Sequence, residues 1–245
     1  MSRLYINPRY QQLLNRHQLS TEKQLLGDSV SGDIIEHGAE RSTFKVELEG
    51  NGFFLKQVRK KSYLSALEPL LQLQKPHHYA WREMQHVLNL QKAGIDVMEV
   101  VAACEHTRWG IPVASAIMVA QVDGADLESV FIQATREQQH LLLQRLGALT
   151  GRLHLAGFFG TVRLKDVFID RKDSYVLIDR EARNPQPQAF SEARALQGLE
   201  RFLHRQRRDY PAWCEDDSRS YLQGYLQETS DSLPLPLDEV LDRVS

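Results

Sequence analysis

Long apolar runs are missing from this 245-residue chain, and none approaches the 18 or so residues that a membrane-spanning helix needs. The opening stretch, MSRLYINPRYQQLL, lacks the apolar core of a secretion signal. The expectation is a chain that neither spans a membrane nor is exported by a signal peptide. Cysteine is scarce: Cys104 and Cys214 stand far apart, without metal-ligand spacing. Both are expected to be packed thiols in a reducing compartment. Net charge is nearly absent at −2, so no global field argues for nucleic acid or a membrane surface. Repeats and low-complexity segments are lacking too. What remains, 42% hydrophobic and 25% charged residues, is an ordinary globular composition, long enough for one large domain or two lobes.

The chain is organised around residues 154–183, HLAGFFGTVRLKDVFIDRKDSYVLIDREAR. Val167-Phe168-Ile169 and Tyr175-Val176-Leu177-Ile178 are short apolar bursts separated by a polar turn from Asp170 to Ser174, which predicts a β-hairpin. Asp166 precedes the first strand and Asp179 follows the second. Carboxylates at the base of both strands can aim oxygen ligands at one hard cation, which suits Mg²⁺ bridging phosphates. The same two residues also read as ordinary polar strand ends.

Upstream, residues 34–48 read as strand, turn, strand, with Phe44, Val46 and Leu48 alternating against Lys45 and Glu47. After a turn at Glu49-Gly50-Asn51-Gly52, a third strand carries Lys56, on its own a candidate solvated strand-end lysine. Residues 79–93, YAWREMQHVLNLQKA, form the clearest helix. Its apolar face is expected to carry Met84, Val87, Leu88 and Gln91, Gly94 closes it as the C′ residue, and Glu83 lies in its first half.

Elsewhere, residues 1–30 read as a polar lead-in with a short helix near Tyr10 to Arg16. Arg59, Lys60 and Lys61 make a short basic run, and Ser65 to Leu73 a helix interrupted by Pro69. Val97–Val101 and Ile111–Val119 read as strands, and Gln121 to Asp126 as a linker. A long helix is predicted from Thr135 to Ala156, with Leu142, Leu146, Leu149 and Leu153 facing inward and Gly157 closing it. His154 reads as a packed or loop-tying histidine, because no partner stands at ligand spacing. Pro185 and Pro187 mark a loop after Glu181-Ala182-Arg183-Asn184. Helices over Glu192–Arg207 and Ser218–Glu228 follow, then an extended tail ending in a short helix. Arg201, Arg205, Arg207 and Arg208 read as a solvated face that would also suit a phosphorylated sugar.

One ordered set of residues resembles a known family. Arg41 and Thr43 before a strand, a glycine turn and Lys56 come first. Trp81-Arg82-Glu83 with Gly94-Ile95, Leu153-His154-x-x-Gly157, Asp166 and Ile178-Asp179 follow in order. The set is similar to the lipopolysaccharide core sugar kinases, the Kdo and heptose kinase family with a protein-kinase-like fold. The resemblance implies an α+β, two-lobed fold. Its small lobe, residues 31–121, would hold an antiparallel sheet and one main helix, and its mostly helical large lobe residues 122–245, with an ATP cleft between them. It implies ATP and Mg²⁺ as cofactors, contacted by Gly38, Arg41, Thr43, Lys56 and Glu83, with Lys56 on the α/β-phosphates and Glu83 orienting it. By fold analogy, Asp123 or Asp126 would reach a ribose. Asp166 and Asp179 would ligate the metal. The implied acceptor is a lipopolysaccharide core sugar or other glycolipid, met in the cytoplasm with a peripheral contact at the inner membrane, and the oligomeric state is left open. The chain departs from the family at one point. Gly160-Thr161-Val162 stands where the family has H-R-D, so the usual base position falls on Thr161 or Val162. Asp166 is then the one catalytic carboxylate at hand, and the alternative is a pseudokinase, a nucleotide-binding regulatory module of envelope biogenesis.

Overall fold

A computed structural model describes residues 2–27, 32–59, 79–109, 111–178 and 185–244. The helix expected over Ser65–Leu73, Lys60 and Lys61, the metal candidate Asp179 and the 181–184 loop lie outside the described residues. The described chain divides into two compact units. One holds the residues up to Leu88 and Met98 to Gln121; the other holds Asn89–Val97, Val122 to Ile178 and everything from Gln186 onward.

The first unit is built on a six-stranded antiparallel sheet. Its strands are β1 (Ser2–Ile6), β2 (Asp33–His37), β3 (Arg41–Leu48), β4 (Asn51–Arg59), β5 (Val100–Arg108) and β6 (Ile111–Ala120), in the order β1-β5-β6-β4-β3-β2. The alternation in β3 is real: Val46 and Leu48 are buried while Lys45 and Glu47 face out. The β3–β4 connection is a two-residue turn, Glu49 and Gly50, at φ 52° and 77°. Two positive φ values fit the twist of the flanking strands, and the strand resumes at Asn51, earlier than the turn residues suggest. A 3-10 turn at Pro8–Tyr10 leads into α1 (Gln11–Arg16), which is followed by α2 (Glu22–Leu25). Leu14, Leu19 and Leu25 from this stretch join Phe53, Leu55, Ala102 and Met118 of the sheet in one buried cluster. The polar lead-in is therefore built into the sheet. β1 pairs along β5, and α1 and α2 bring their few leucines to the apolar cluster.

α3 (Tyr79–Lys92) begins in the first unit. Its buried positions are Ala80, Glu83, Met84, His86, Val87 and Leu90, whereas Leu88 is half-buried and Gln91 exposed. The buried face is thus rotated by one residue from the expected one. The Ile95 N–H donates to the Leu90 carbonyl (3.1 Å) and the Gly94 N–H to that of Gln91 (3.0 Å), with Gly94 at φ 75°. That pairing is the Schellman closure of a helix end.

The second unit carries a three-stranded sheet of β7 (Gly124–Asp126), β8 (Val167–Asp170) and β9 (Tyr175–Leu177). Its helices are α4 (Leu127–Gln133), α5 (Arg136–Leu155), α6 (Glu192–Asp209), α7 (Glu215–Thr229) and α8 (Leu237–Val244). Thr135 begins α5 with a capping box to Gln138. Leu143, Leu146, Leu149 and Leu153 are its buried leucines, and Leu142 is half-buried. The C-terminal stretch is no loose tail, since Leu233, Val240, Leu241 and Val244 are all buried. Cys104 is buried as expected. Cys214 is not packed: it is exposed at the N-cap of α7, where the Arg136 guanidinium donates to its sulfur at 3.0 Å.

Candidate active site

In the first unit the site is assembled on β3, β4 and α3. β4 is flanked by β3 and β6, and Lys56 stands mid-strand, opposite Thr43 on one side and Ile117 on the other. Alternation puts Phe53, Leu55 and Gln57 into the interior and turns Lys56 to the opposite face. There its Nζ donates to Glu83 Oε1 at 3.1 Å. The Glu83 side chain is only 4% exposed and that of Lys56 25%. Lys56 is therefore neither strand-end nor freely solvated, and Glu83 is not a surface glutamate. A carboxylate this buried is strongly favoured as an ion pair, and the pair fixes where the ammonium can reach.

The other first-unit candidates lie on the adjoining hairpin. The Gly38 N–H donates to the Arg41 carbonyl at 2.7 Å, closing the β2–β3 turn. The Arg41 guanidinium lies over the Tyr79 ring, 4.8 Å from its centre, linking the hairpin to the start of α3. Sequence reasoning missed Tyr79, whose only signal was its place two residues before the Trp81-Arg82-Glu83 phrase.

In the second unit, α5 ends at Gly157, which takes φ 85°. The Phe158 N–H then donates to the Leu153 carbonyl at 2.8 Å. His154 is packed: it is 1% exposed, its Nδ1 lies 3.0 Å from the Tyr225 hydroxyl, and its ring is 5.2 Å from that of Phe159. Burial, reinforced by the charge of Arg201, lowers its pKa to about 4. A neutral imidazole in this position ties the loop to Tyr225 and Phe159.

The loop then turns through Leu164–Asp166 as a 3-10 turn into β8. Val162 and Leu164 are each 1% exposed. Of the two residues on which the family's base position falls, Val162 is apolar and packed inward and Thr161 is half-buried. The Asp166 carbonyl accepts the Ile178 N–H at 2.8 Å, holding the end of the hairpin beside it. Its carboxylate is already engaged, with Arg163 Nε donating to Oδ2 and Nη2 to Oδ1, both at 2.6 Å. Asp166 is 5% exposed, so this two-pronged bond is largely shielded from water. Sequence reasoning also missed Arg163; its three-residue separation from Asp166 was the available signal.

Of the two ribose candidates, Asp126 is the N-cap of α4 and accepts the Ser129 N–H at 2.8 Å. Asp123 is exposed and pairs with Arg171 at 2.6 Å.

The residues fit the implied cofactors unequally. A lysine oriented by a buried glutamate fits a nucleotide phosphate. Asp166, as arranged, does not fit Mg²⁺: a small ion that demands near-octahedral oxygen ligation would have to displace the guanidinium from both oxygens. Among the described residues no cluster of three or more His, Cys, Asp or Glu side chains is gathered to hold a metal.

Comparison with known proteins decides the family. The model of the lipopolysaccharide kinase (Kdo/WaaP) family matches residues 28–225. The chain belongs to that family. A solved structure titled "WaaP in complex with acyl carrier protein" superposes with a TM-score of 0.67 at 18% identity, covering 98% of this chain and 92% of that one. At that identity the likeness speaks for the fold, which is kinase-like. No curated protein matches the chain. No helix among the described residues is long and apolar enough to cross a membrane.

Proposed function

We propose that this chain is a nucleotide-binding member of the lipopolysaccharide kinase family whose loop has lost its general base. It binds ATP through Lys56, oriented by Glu83, with Gly38, Arg41 and Thr43 on the same hairpin as supporting contacts. The observation that carries the reading is the Lys56–Glu83 pair, formed at 3.1 Å with the carboxylate buried. The acceptor class is a core sugar or related glycolipid, which the protein senses more readily than it phosphorylates. Its place of action is the cytoplasm, with a peripheral contact at the inner membrane.

Phosphoryl transfer to a sugar hydroxyl is the second reading, favoured by family membership. It asks Asp166 to act as base. A carboxylate bonded by a guanidinium on both oxygens must be released before it can turn to a substrate hydroxyl, and Val162 supplies no base. A positioned base contributes about 10²–10⁴-fold, so transfer is expected to be slower by that order than with an intact loop. The test has two parts. ATP should raise the melting temperature, since a ligand of the folded state stabilises it, and Lys56→Ala should remove most of the rise. Phosphate transfer from ATP to purified core oligosaccharide should be slow or nil. No binding at millimolar ATP would sink the proposal; rapid transfer abolished by Asp166→Asn would establish the kinase reading in its place.

A further inference from the structure

At the α-helical repeat, Arg194, Arg201, Arg205 and Arg208 of α6 fall within one arc of about 60° and form a ridge about 21 Å long. Arg194, Arg201 and Arg208 are exposed and Arg205 is half-buried, while Ala195, Leu199 and Phe202 bury the other side of the helix. Helix stability does not explain the ridge. Arg201–Arg205 and Arg205–Arg208 are like-charge neighbours at i, i+4 and i, i+3, which weakens a helix. Arg194 stands in the first turn, where the helix dipole disfavours a cation. Carboxylates neutralise little of this charge. Arg194 donates to the Gln188 side-chain oxygen and Arg201 to the Gln197 carbonyl, both uncharged acceptors. Arg205 has no salt-bridge partner among the described residues, and Arg208 is matched by Asp209 at 2.7 Å. Even that carboxylate is shared: Arg208, then Arg205 and Lys165, hold its pKa below the ordinary value. Lys165, exposed in the turn before β8, thus adds a fifth cation at this end of the ridge. Other helices of the same unit place an acid one turn from an arginine. Arg219 pairs with Glu215 at 2.9 Å and Arg243 with Glu239 at 2.6 Å.

We propose that the α6 ridge is the face by which this unit docks on an anionic lipid surface, its arginines bonding the headgroup phosphates. The inference rests on the peripheral membrane contact proposed above and says where that contact lies. Charge complementarity selects the occupant. The planar guanidinium matches a phosphate with two parallel bonds, and it keeps its charge at any pH the protein meets. A plane of headgroups is extended enough to meet all four arginines at once, whereas one free phosphate spans only adjacent members of the ridge. Bonding to phosphate also relieves the repulsion that the like-charged neighbours impose on the bare helix.

The experiment is co-sedimentation of the full chain with vesicles of phosphatidylcholine, with and without one part in three of phosphatidylglycerol. The unaltered chain should bind the anionic vesicles, bind neutral ones far more weakly, and come off as salt rises toward about 1 M, where screening acts within about 3 Å. Each arginine near a charged leaflet is worth about fivefold in partition coefficient, so Arg201→Gln/Arg205→Gln should lose about 25-fold. Arg219→Gln/Arg243→Gln removes the same charge away from the ridge and should bind within about twofold of the unaltered chain. Melting curves check that both variants are folded. Arg194→Gln, at the far end of the ridge, should lose about fivefold and stands in if the first double variant does not fold. Anionic-vesicle binding that the ridge variants leave intact, or that the off-ridge variant weakens as much, would overturn the inference and leave the peripheral contact standing. Equal binding to neutral vesicles would do the same. No binding to either kind of vesicle would overturn both, while ATP binding is read separately by its melting shift. Binding of a short labelled RNA without binding of vesicles would reassign the ridge to nucleic acid and overturn the lipid assignment.

Discussion

Lys56 and Glu83 face each other from a strand and a helix, and their burial is unequal, 25% against 4% of the side chain exposed. The glutamate therefore depends on the lysine more than the reverse. Removing one partner of a largely buried pair costs about 3–5 kcal/mol, most of it the stranded charge, and partial exposure of Lys56 places the loss toward the lower end. Lys56→Ala should lower the unfolding free energy by about 3 kcal/mol in urea titrations, whereas Lys56→Met with Glu83→Leu should recover most of it. Recovery without regained ATP binding would separate the stability role from the phosphate role. His154 gives a pH prediction. Its pKa is lowered to about 4 in the folded chain, so between the unfolded value near 6.5 and that point the unfolded chain takes up a proton that the folded chain refuses. Stability should fall as pH drops through that window, by up to about 3 kcal/mol at pH 4, at about 1.4 kcal/mol per pH unit. Denaturation curves for the unaltered chain and His154→Gln should converge toward low pH; a parallel pair of curves would assign the loss to other groups.

At the scale of elements, the pairing of α5 with α7 depends on two small residues. A Cβ on Gly147 would lie 1.9 Å from the Tyr221 carbonyl oxygen, and one on Gly224 would lie 1.9 Å from that of Gln144. The obstacles are backbone atoms, so no side-chain rotation relieves them. Gly147→Ala should force the helices apart and destabilise by about 1–3 kcal/mol or more, read as a drop in melting temperature. The loop before β8 gives a second case: Val162→Asp would put a carboxylate where a valine is 1% exposed. It should destabilise without creating a base, since a buried unpaired carboxylate takes up a proton instead. These elements also show what the sequence made legible. The β3 alternation, the α3 rhythm, the helix start at Thr135 and the hairpin that follows Asp166 are local patterns, and local patterns survive folding. The one-residue rotation of the α3 face was not legible, because burying Glu83 against Lys56 depends on a strand far away in sequence. Nor was the Arg163 grip on Asp166, since an i,i+3 pair reads as an ordinary surface contact until the turn hides it.

At the scale of the molecule, the family model starts at residue 28, yet the structural likeness to WaaP spans 98% of the chain, leaving only about five residues outside it. The segment before residue 28 therefore belongs to the fold although it lies outside the family pattern. Composition hid this: a stretch with a handful of leucines among glutamines, arginines and asparagines reads as a lead-in. In the structure Asn7, Arg9 and Tyr10 all donate to the Glu99 carboxylate, at 3.2, 2.9 and 2.7 Å. Arg16 grips Glu49 at the β3–β4 turn with two bonds of 2.9 Å. Leu14, Leu19 and Leu25 are 0%, 6% and 1% exposed. Burying a leucine is worth about 1.5–3 kcal/mol, so these three alone contribute roughly 5–9 kcal/mol, comparable to the whole stability of an ordinary domain. A chain begun at residue 28 should lose that contribution and bare Phe53, Leu55 and Met118 on the sheet. It should be recovered mostly as aggregate, and any soluble fraction should bind hydrophobic dye and show no cooperative melt. If the shortened chain instead melts cooperatively within a few degrees of the full one, the segment is an ornament on the sheet and not part of its core.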